Sequence, residues 1–192
     1  FTVYAVDRRG RGESGDSNPY AIEREFEDVG SVVDSIGGPV NLLGHSYGAL
    51  CSLEAALLTS KIRKMVLYEP PIPVGMEIYS PAIISKLQAL LDAGDRDGVV
   101  TTFMGEIAQV RPDDLKLLQS LPAWKARVAA AHTIPRELRA DRDYTFDAQR
   151  FSGLKTPTLL LVGGDSPLFL KAGSEALQSV LPNCRTVVMP GQ

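Results

Sequence analysis

Val40-Asn41-Leu42-Leu43-Gly44-His45-Ser46-Tyr47-Gly48-Ala49-Leu50 decides how the rest of the chain is read. Val40 to Leu43 is an apolar, β-prone run, and Ala49 to Leu58 reads as a helix. Between them lies Gly44-His45-Ser46-Tyr47-Gly48, a G-x-S-x-G where a strand hands over to a helix, which is the pattern of a nucleophile elbow. On so sharp a turn the Ser46 backbone is strained and its hydroxyl is lifted above the sheet edge. Gly44 and Gly48 are expected to lack side chains because a Cβ at either position would collide with the neighbouring strand and helix. The Tyr47 N–H, opening the helix, is expected to point toward an oxyanion forming beside Ser46.

Outward from this turn the strand and helix patterns alternate. On the N-terminal side, Phe1 to Val6 is a short β-rich run, and Arg8 to Gly15 is a glycine-rich loop. The loop's spacing matches neither the P-loop nor G-x-G-x-x-G, so its arginines are expected to pair with nearby carboxylates rather than hold phosphate. Ile22, Phe26, Val29, Val33 and Ile36 share one helical face, with Glu23, Arg24, Glu25, Glu27 and Asp28 on a solvated side. Gly37-Gly38-Pro39 stops that helix. On the C-terminal side, Lys64 to Tyr68 is a further strand, ending at Glu69-Pro70-Pro71. Strand, helix, strand, helix, strand implies crossovers and a parallel sheet.

The alternation stops at Pro71. Residues 71–150 offer helices at Pro81–Ala93, Arg96–Ile107, Pro112–Ser120 and Ala123–Ala140, and no convincing strand. A helical insert of this kind is expected to form a lid over the carboxyl edge of the sheet. Thr156 to Val162 then resumes the sheet and ends in the loop Gly163-Gly164-Asp165-Ser166-Pro167. Phe169 to Leu181 is a helix and Cys184 to Met189 a last strand. The domain reading is therefore core over 1–70, helical cap over 71–150 and core again over 151–192.

Composition narrows the class. The 192 residues are 44% hydrophobic and 22% charged, enough for a globular core. A net charge of −3 provides no basic field for nucleic acid or anionic membrane, so neither is an expected partner. No apolar run reaches membrane-span length. Two cysteines, Cys51 and Cys184, make no disulfide framework; both are expected to be buried free thiols, with a reducing, cytoplasmic setting as the default.

Three blocks now bear on family: Val6-Asp7-Arg8-Arg9-Gly10-Arg11-Gly12-Glu13-Ser14-Gly15, Gly44-His45-Ser46-Tyr47-Gly48, and Thr158 to Pro167. In their residues, order and separation the chain resembles the capped, serine-nucleophile α/β-hydrolase superfamily over its whole length. The resemblance implies a mostly parallel α/β-hydrolase sheet, helices on both faces, and a helical cap after the third strand of the sequence. It implies a Ser–acid–His triad in that chain order. Ser46 fills the nucleophile position. Asp165 fits the acid position after the strand Thr158–Val162, although it stands two residues past Gly163 where many members read G-x-x-D. Glu69, at the end of the preceding strand, is the alternative acid. His45 lies inside the elbow and is read as a packing or oxyanion-side residue; His132, in the insert, as a cap or pocket-rim residue. The family's catalytic histidine would follow Gln192, and its first strands and His-Gly oxyanion loop would precede Phe1. The chain is thus expected to be a piece cut at both ends and inactive alone. One strand of the family's order, between Phe1–Val6 and Val40–Leu43, is not found in the sequence.

The expected chemistry is hydrolysis of a small-molecule substrate, an ester or lactone of a small apolar acid, through an acyl-enzyme on Ser46. No cofactor and no metal are called for. Phe103, Met104 and Trp124 are candidates either to line a pocket or to form the core of the cap. The same fold also hosts carbon–carbon bond hydrolases, cofactor-free haloperoxidases and non-catalytic ligand-binding proteins. Haloalkane and epoxide hydrolases are disfavoured, because they carry Asp where this chain has Ser46.

Overall fold

The computed structural model describes residues 2–192. In chain order the elements are α1 (Ile22–Ser35), β1 (Val40–His45), α2 (Tyr47–Ala55), β2 (Ile62–Tyr68), α3 (Pro81–Asp92), α4 (Arg96–Thr102), α5 (Pro112–Ser120), α6 (Ala123–Ala129), α7 (Ile134–Asp143), β3 (Thr158–Gly163), α8 (Leu168–Val180) and β4 (Cys184–Met189). They group into two units. One comprises Glu23–Ile78 with Tyr144–Gln192, the other Phe1–Ile22 with Tyr79–Asp143.

The first unit is built on a four-stranded sheet of order β1-β2-β3-β4, every neighbouring pair parallel. Register aligns Gly44 with Leu67, Leu67 with Leu160 and Leu160 with Thr186, so these residues share one face. Met65, Leu67 and Leu160 on that face are buried. A side chain on Gly44 would run into Ala49 of α2, and the Thr186 hydroxyl bonds Gln178 of α8, so both helices lie on this face. Helices were expected on both faces; on the other, Leu43 is 68% and Val187 41% exposed. Glu54, buried in the middle of α2, receives two bonds from the Arg150 guanidinium, at 2.9 and 2.8 Å, and one from the Tyr144 hydroxyl at 2.5 Å. That clamp ties the helix behind the elbow to the segment that leads into β3. Cys51 is buried and in no disulfide, as expected, whereas Cys184 is only half-buried, its thiol pushed up to about 11 by burial.

The expected strand Phe1–Val6 is not formed in the described part of it. Phe1 lies outside the described residues; residues 2–6 have no ladder partner, and Val3, Tyr4 and Val6 are exposed. β-prone composition alone cannot hold a strand without a neighbour to take its N–H and C=O groups. Leu42 pairs with Met65 on one side, and Val3 is not its partner on the other.

The second unit is helical, and no strand occurs among residues 71–150. Ser80 caps α3 by accepting the Ile83 N–H, with Pro81 at the first helical position. Asp95 caps α4 by accepting the Gly98 N–H at 2.8 Å, and a π turn (Phe103–Ile107) carries that helix on. The fourth expected helix divides into α6, a 3₁₀ turn (Ala131–Thr133) and α7. The division falls just before Pro135, which has no N–H to continue the ladder and whose ring would meet the carbonyl one turn back. Trp124 is buried and donates its indole N–H to Asp97 at 2.7 Å, so its place is in the unit's own core.

The loop Arg8–Gly15 belongs to this unit rather than to the sheet, because its arginines pair there, as the sequence suggested. Arg11 grips Glu137 of α7 at 2.5 and 2.8 Å, and Arg8 adds a third bond at 3.1 Å. Burial pushes the Glu137 carboxyl up, but the Arg11 hydrogen bond and the charges of both arginines hold it below its usual value. Arg136 forks onto Asp16 at 2.7 and 2.9 Å and covers the Tyr20 ring at 4.6 Å. One turn beyond Glu137, Asp141 is buried, accepts the Tyr79 hydroxyl on one oxygen and, among the described residues, has no partner for the other. Burial, with the Glu137 charge beside it, raises the Asp141 carboxyl to about 6 in spite of the Tyr79 bond.

Candidate active site

β1 ends at His45 and α2 begins at Tyr47, which leaves Ser46 alone to turn the chain. It does so with φ 52° and ψ −126°, a left-handed conformation rare for a residue with a side chain. The turn is held from both sides. The Ser46 N–H donates to the Tyr68 carbonyl at 2.8 Å, extending the β1–β2 ladder, and its own carbonyl accepts the Ala49 N–H at 2.8 Å. Surroundings that fix a strained residue so firmly are the usual sign of a functional position.

The two elbow glycines are not equivalent. A Cβ on Gly44 would lie 2.5 Å from the Gly48 carbonyl oxygen and 2.6 Å from Ala49 Cα, so α2 can approach β1 only over a bare residue. A Cβ on Gly48 meets nothing within 4 Å, and Gly48 is not at positive φ. The expected collision at Gly48 is therefore absent, because its Cβ direction faces open space.

Glu69, immediately past β2, is the second strained residue here, with φ 51°. It is only 9% exposed. Its Oε1 accepts the Gly163 N–H at 2.8 Å and the Ser166 hydroxyl, and its own N–H donates to the Leu161 carbonyl at 3.0 Å. Since Ser46 N–H bonds the carbonyl of Tyr68, Glu69 is the residue that follows the acceptor of the elbow's own hydrogen bond. Asp165 stands differently. It is exposed, in the loop after β3, and its backbone N–H donates to the Gln192 carbonyl at 2.8 Å.

His45 is exposed, with its ring 4.7 Å from that of Tyr68 at a 36° tilt. Burial, then the Glu69 charge, raises the Tyr68 phenol. His132 lies in the helical unit, its Nδ1 3.1 Å from the Arg96 guanidinium; burial and the charges of Arg96 and Arg136 lower it. The sequence reading gave Ser166 no role. The available signal was its place three residues past Gly163, where G-x-x-D would put a carboxylate. Among the described residues no group of three or more His, Cys, Asp or Glu is placed to hold a metal ion, and no helix is long and apolar enough to cross a membrane.

A parallel sheet whose first strand turns through Gly-His-Ser-Tyr-Gly into a helix is the arrangement of the α/β hydrolases. The chain belongs to that family: the model described as the alpha/beta hydrolase family matches residues 1–192. Among curated proteins it is 26% identical over 197 residues to a putative carbamate hydrolase, RutD, of Pseudomonas savastanoi pv. phaseolicola, covering 97% of this chain and 74% of that protein. Among solved structures it is similar to an α/β hydrolase from Sphaerobacter thermophilus, with TM-score 0.82, 39% identity, and 97% and 73% of the two chains covered. It is also similar in fold to an esterase from Exiguobacterium antarcticum, with TM-score 0.71, 22% identity, and 95% and 70% covered.

Proposed function

We propose that this α/β hydrolase is a serine hydrolase that cleaves esters or lactones of small apolar acids through an acyl-enzyme on Ser46. The observation that carries the proposal is the left-handed φ of Ser46 at the junction of β1 and α2. A general base takes the Ser46 proton as Oγ attacks the substrate carbonyl carbon. Charge then gathers on the carbonyl oxygen, where the Tyr47 N–H, at the positive end of α2, stabilises it. Collapse of that intermediate expels the alcohol, which takes the proton from the base. Water, deprotonated by the same base, then releases the acid and regenerates Ser46. An acidic residue, Asp165 or Glu69, orients the base. The RutD relative is named for carbamate hydrolysis, which is also acyl transfer to water and needs the same nucleophile and oxyanion donor.

Hydrolysis of p-nitrophenyl acetate by the full-length protein, beside Ser46→Ala, tests the proposal. Turnover by the parent that falls by several orders of magnitude in the variant supports it; equal rates would rule it out. A fully folded protein that binds small apolar esters without turning them over would instead support a ligand-binding role.

A further inference from the structure

We infer that Glu69, not Asp165, is the carboxylate that orients the base, and that Ser166 and the Gly163 N–H fix Glu69 for this task. The inference rests on Ser46 being the nucleophile. Three independent observations favour Glu69. It is buried, where a carboxylate's hydrogen bonds are not diluted by water, whereas Asp165 is exposed. It shares with Ser46 the left-handed backbone that only Gln109 also adopts among the described non-glycine residues. And its side chain is already half engaged, in a specific way.

The engagement is one-sided. Both donors converge on Oε1: the Gly163 N–H at 2.8 Å from the end of β3, and the Ser166 hydroxyl from the loop beyond it. An ionised carboxylate can accept about four hydrogen bonds, two on each oxygen. Two donors on Oε1 fill that atom, and among the described residues Glu69 makes no hydrogen bond through Oε2. Two bonds to one oxygen also fix the plane of the carboxyl group, so the direction of Oε2 is fixed with it. An orienting acid needs this arrangement, with one oxygen held by the protein and the other presented to the N–H of the base. Among the described residues Asp165 has no corresponding brace; its backbone N–H donates to the Gln192 carbonyl.

Ser166 is thus a positioning residue that acts through Glu69. It stands at the third position after Gly163, so in this chain a hydroxyl occupies the place where a carboxylate was anticipated, and the carboxylate comes from the neighbouring strand end. The two sites are adjacent because β2 and β3 pair in register up to Tyr68 and Leu161.

The test is a set of variants of the full-length protein assayed with p-nitrophenyl acetate and a fluorophosphonate probe. Glu69→Gln keeps an oxygen for Gly163 and Ser166 but cannot hold the base as an anion. It is expected to lower kcat by about 10⁴-fold, the loss seen when an orienting acid becomes its amide. Asp165→Asn is expected to cost less than tenfold. Ser166→Ala is expected to lower kcat about 10- to 100-fold with KM unchanged, as for loss of one hydrogen bond to a charged group. Ser166→Thr should restore most of the rate. In the Glu69→Gln background, Ser166→Ala should cost less than about twofold more, since a residue acting through Glu69 has nothing left to position. A merely structural Ser166 would cost the same in both backgrounds and would not be rescued by the hydroxyl of Thr. If Ser46 is labelled while Asp165→Asn is inactive and Glu69→Gln is near wild type, the inference is wrong and the nucleophile stands. If Ser46 is not labelled, the reading beneath it fails.

Discussion

Gly44→Ala should break the elbow, and Gly48→Ala should not. At Gly44 the added Cβ would sit 2.5 Å from the Gly48 carbonyl oxygen, 2.6 Å from Ala49 Cα and 2.6 Å from the Ser52 hydroxyl. Ordinary contact begins at 3.4 Å, so the gap must open by about 0.9 Å. The Ser52 hydroxyl could swing away, although it would give up its 2.7 Å bond to the Gly48 carbonyl. The other two atoms are backbone of α2 and move only with the helix. Overpacking of this kind costs about 1–3 kcal/mol. For a chain of this length that is roughly 2–12 °C in Tm, at about 2–4 °C per kcal/mol. Activity should suffer more than stability. Displacing α2 from β1 displaces Ser46, which joins them, and a misplacement near 1 Å can cost about 10²-fold in rate. At Gly48 the added methyl meets nothing, and within a helix Ala replaces Gly with a gain of about 0.4–1 kcal/mol. Urea unfolding of both variants, with p-nitrophenyl acetate turnover alongside, reads the contrast. Equal destabilisation by the two substitutions, or a Gly44→Ala protein as stable and active as the parent, would refute the reasoning.

Asp141 makes stability depend on pH in an unusual direction. Its folded value, raised from 3.8 to about 6, gives a contribution fully present below pH 3.8 and lost as pH rises through about 6. That rise corresponds to about 3 kcal/mol, so Asp141→Asn should be the more stable protein at pH 7 and nearly equal to the parent at pH 4; thermal melts at both pH values check this. Arg150→Met removes the cation from the Glu54 carboxylate, which is 3% exposed, and leaves it the Tyr144 hydroxyl alone. Breaking a buried pair costs about 3–5 kcal/mol; because Arg150 itself is 45% exposed, roughly 2–3 kcal/mol is expected in urea unfolding, with part recovered in Glu54→Gln/Arg150→Met. Trp124→Phe loses the bond to Asp97 in the core of the helical unit and should cost about 1 kcal/mol with no change in KM.

Much of the sheet was legible because each strand is an apolar run stopped by punctuation that the backbone obeys. Val40–His45 starts after Gly37-Gly38-Pro39, and Ile62–Tyr68 ends at Glu69-Pro70-Pro71. Local pattern misled wherever a partner decides the outcome. Phe1–Val6 has the composition of a strand, but residues 2–6 have no neighbour and stay irregular. Glu25 falls among charged residues and was read as solvated, yet it is 1% exposed, because the helical face buried by α1 is wider than the stripe of its apolar residues. The expected helix Ala123–Ala140 runs through Pro135, and the backbone breaks just before it. At the site, the strained turn at Ser46 was readable from the glycine spacing between a strand pattern and a helix pattern. The bracing of Glu69 by Ser166 and Gly163 was not, since it joins residues 94 and 97 positions apart through strand pairing that no local pattern encodes.

The most direct measurement of the central claim is covalent labelling of the full-length protein by a fluorophosphonate, with the modified peptide located by mass spectrometry. If Ser46 is the activated nucleophile, one phosphonate is found on the peptide carrying Gly44-His45-Ser46-Tyr47-Gly48, and Ser46→Ala abolishes it. Labelling that persists in Ser46→Ala, or that falls on another residue in the parent, would contradict it.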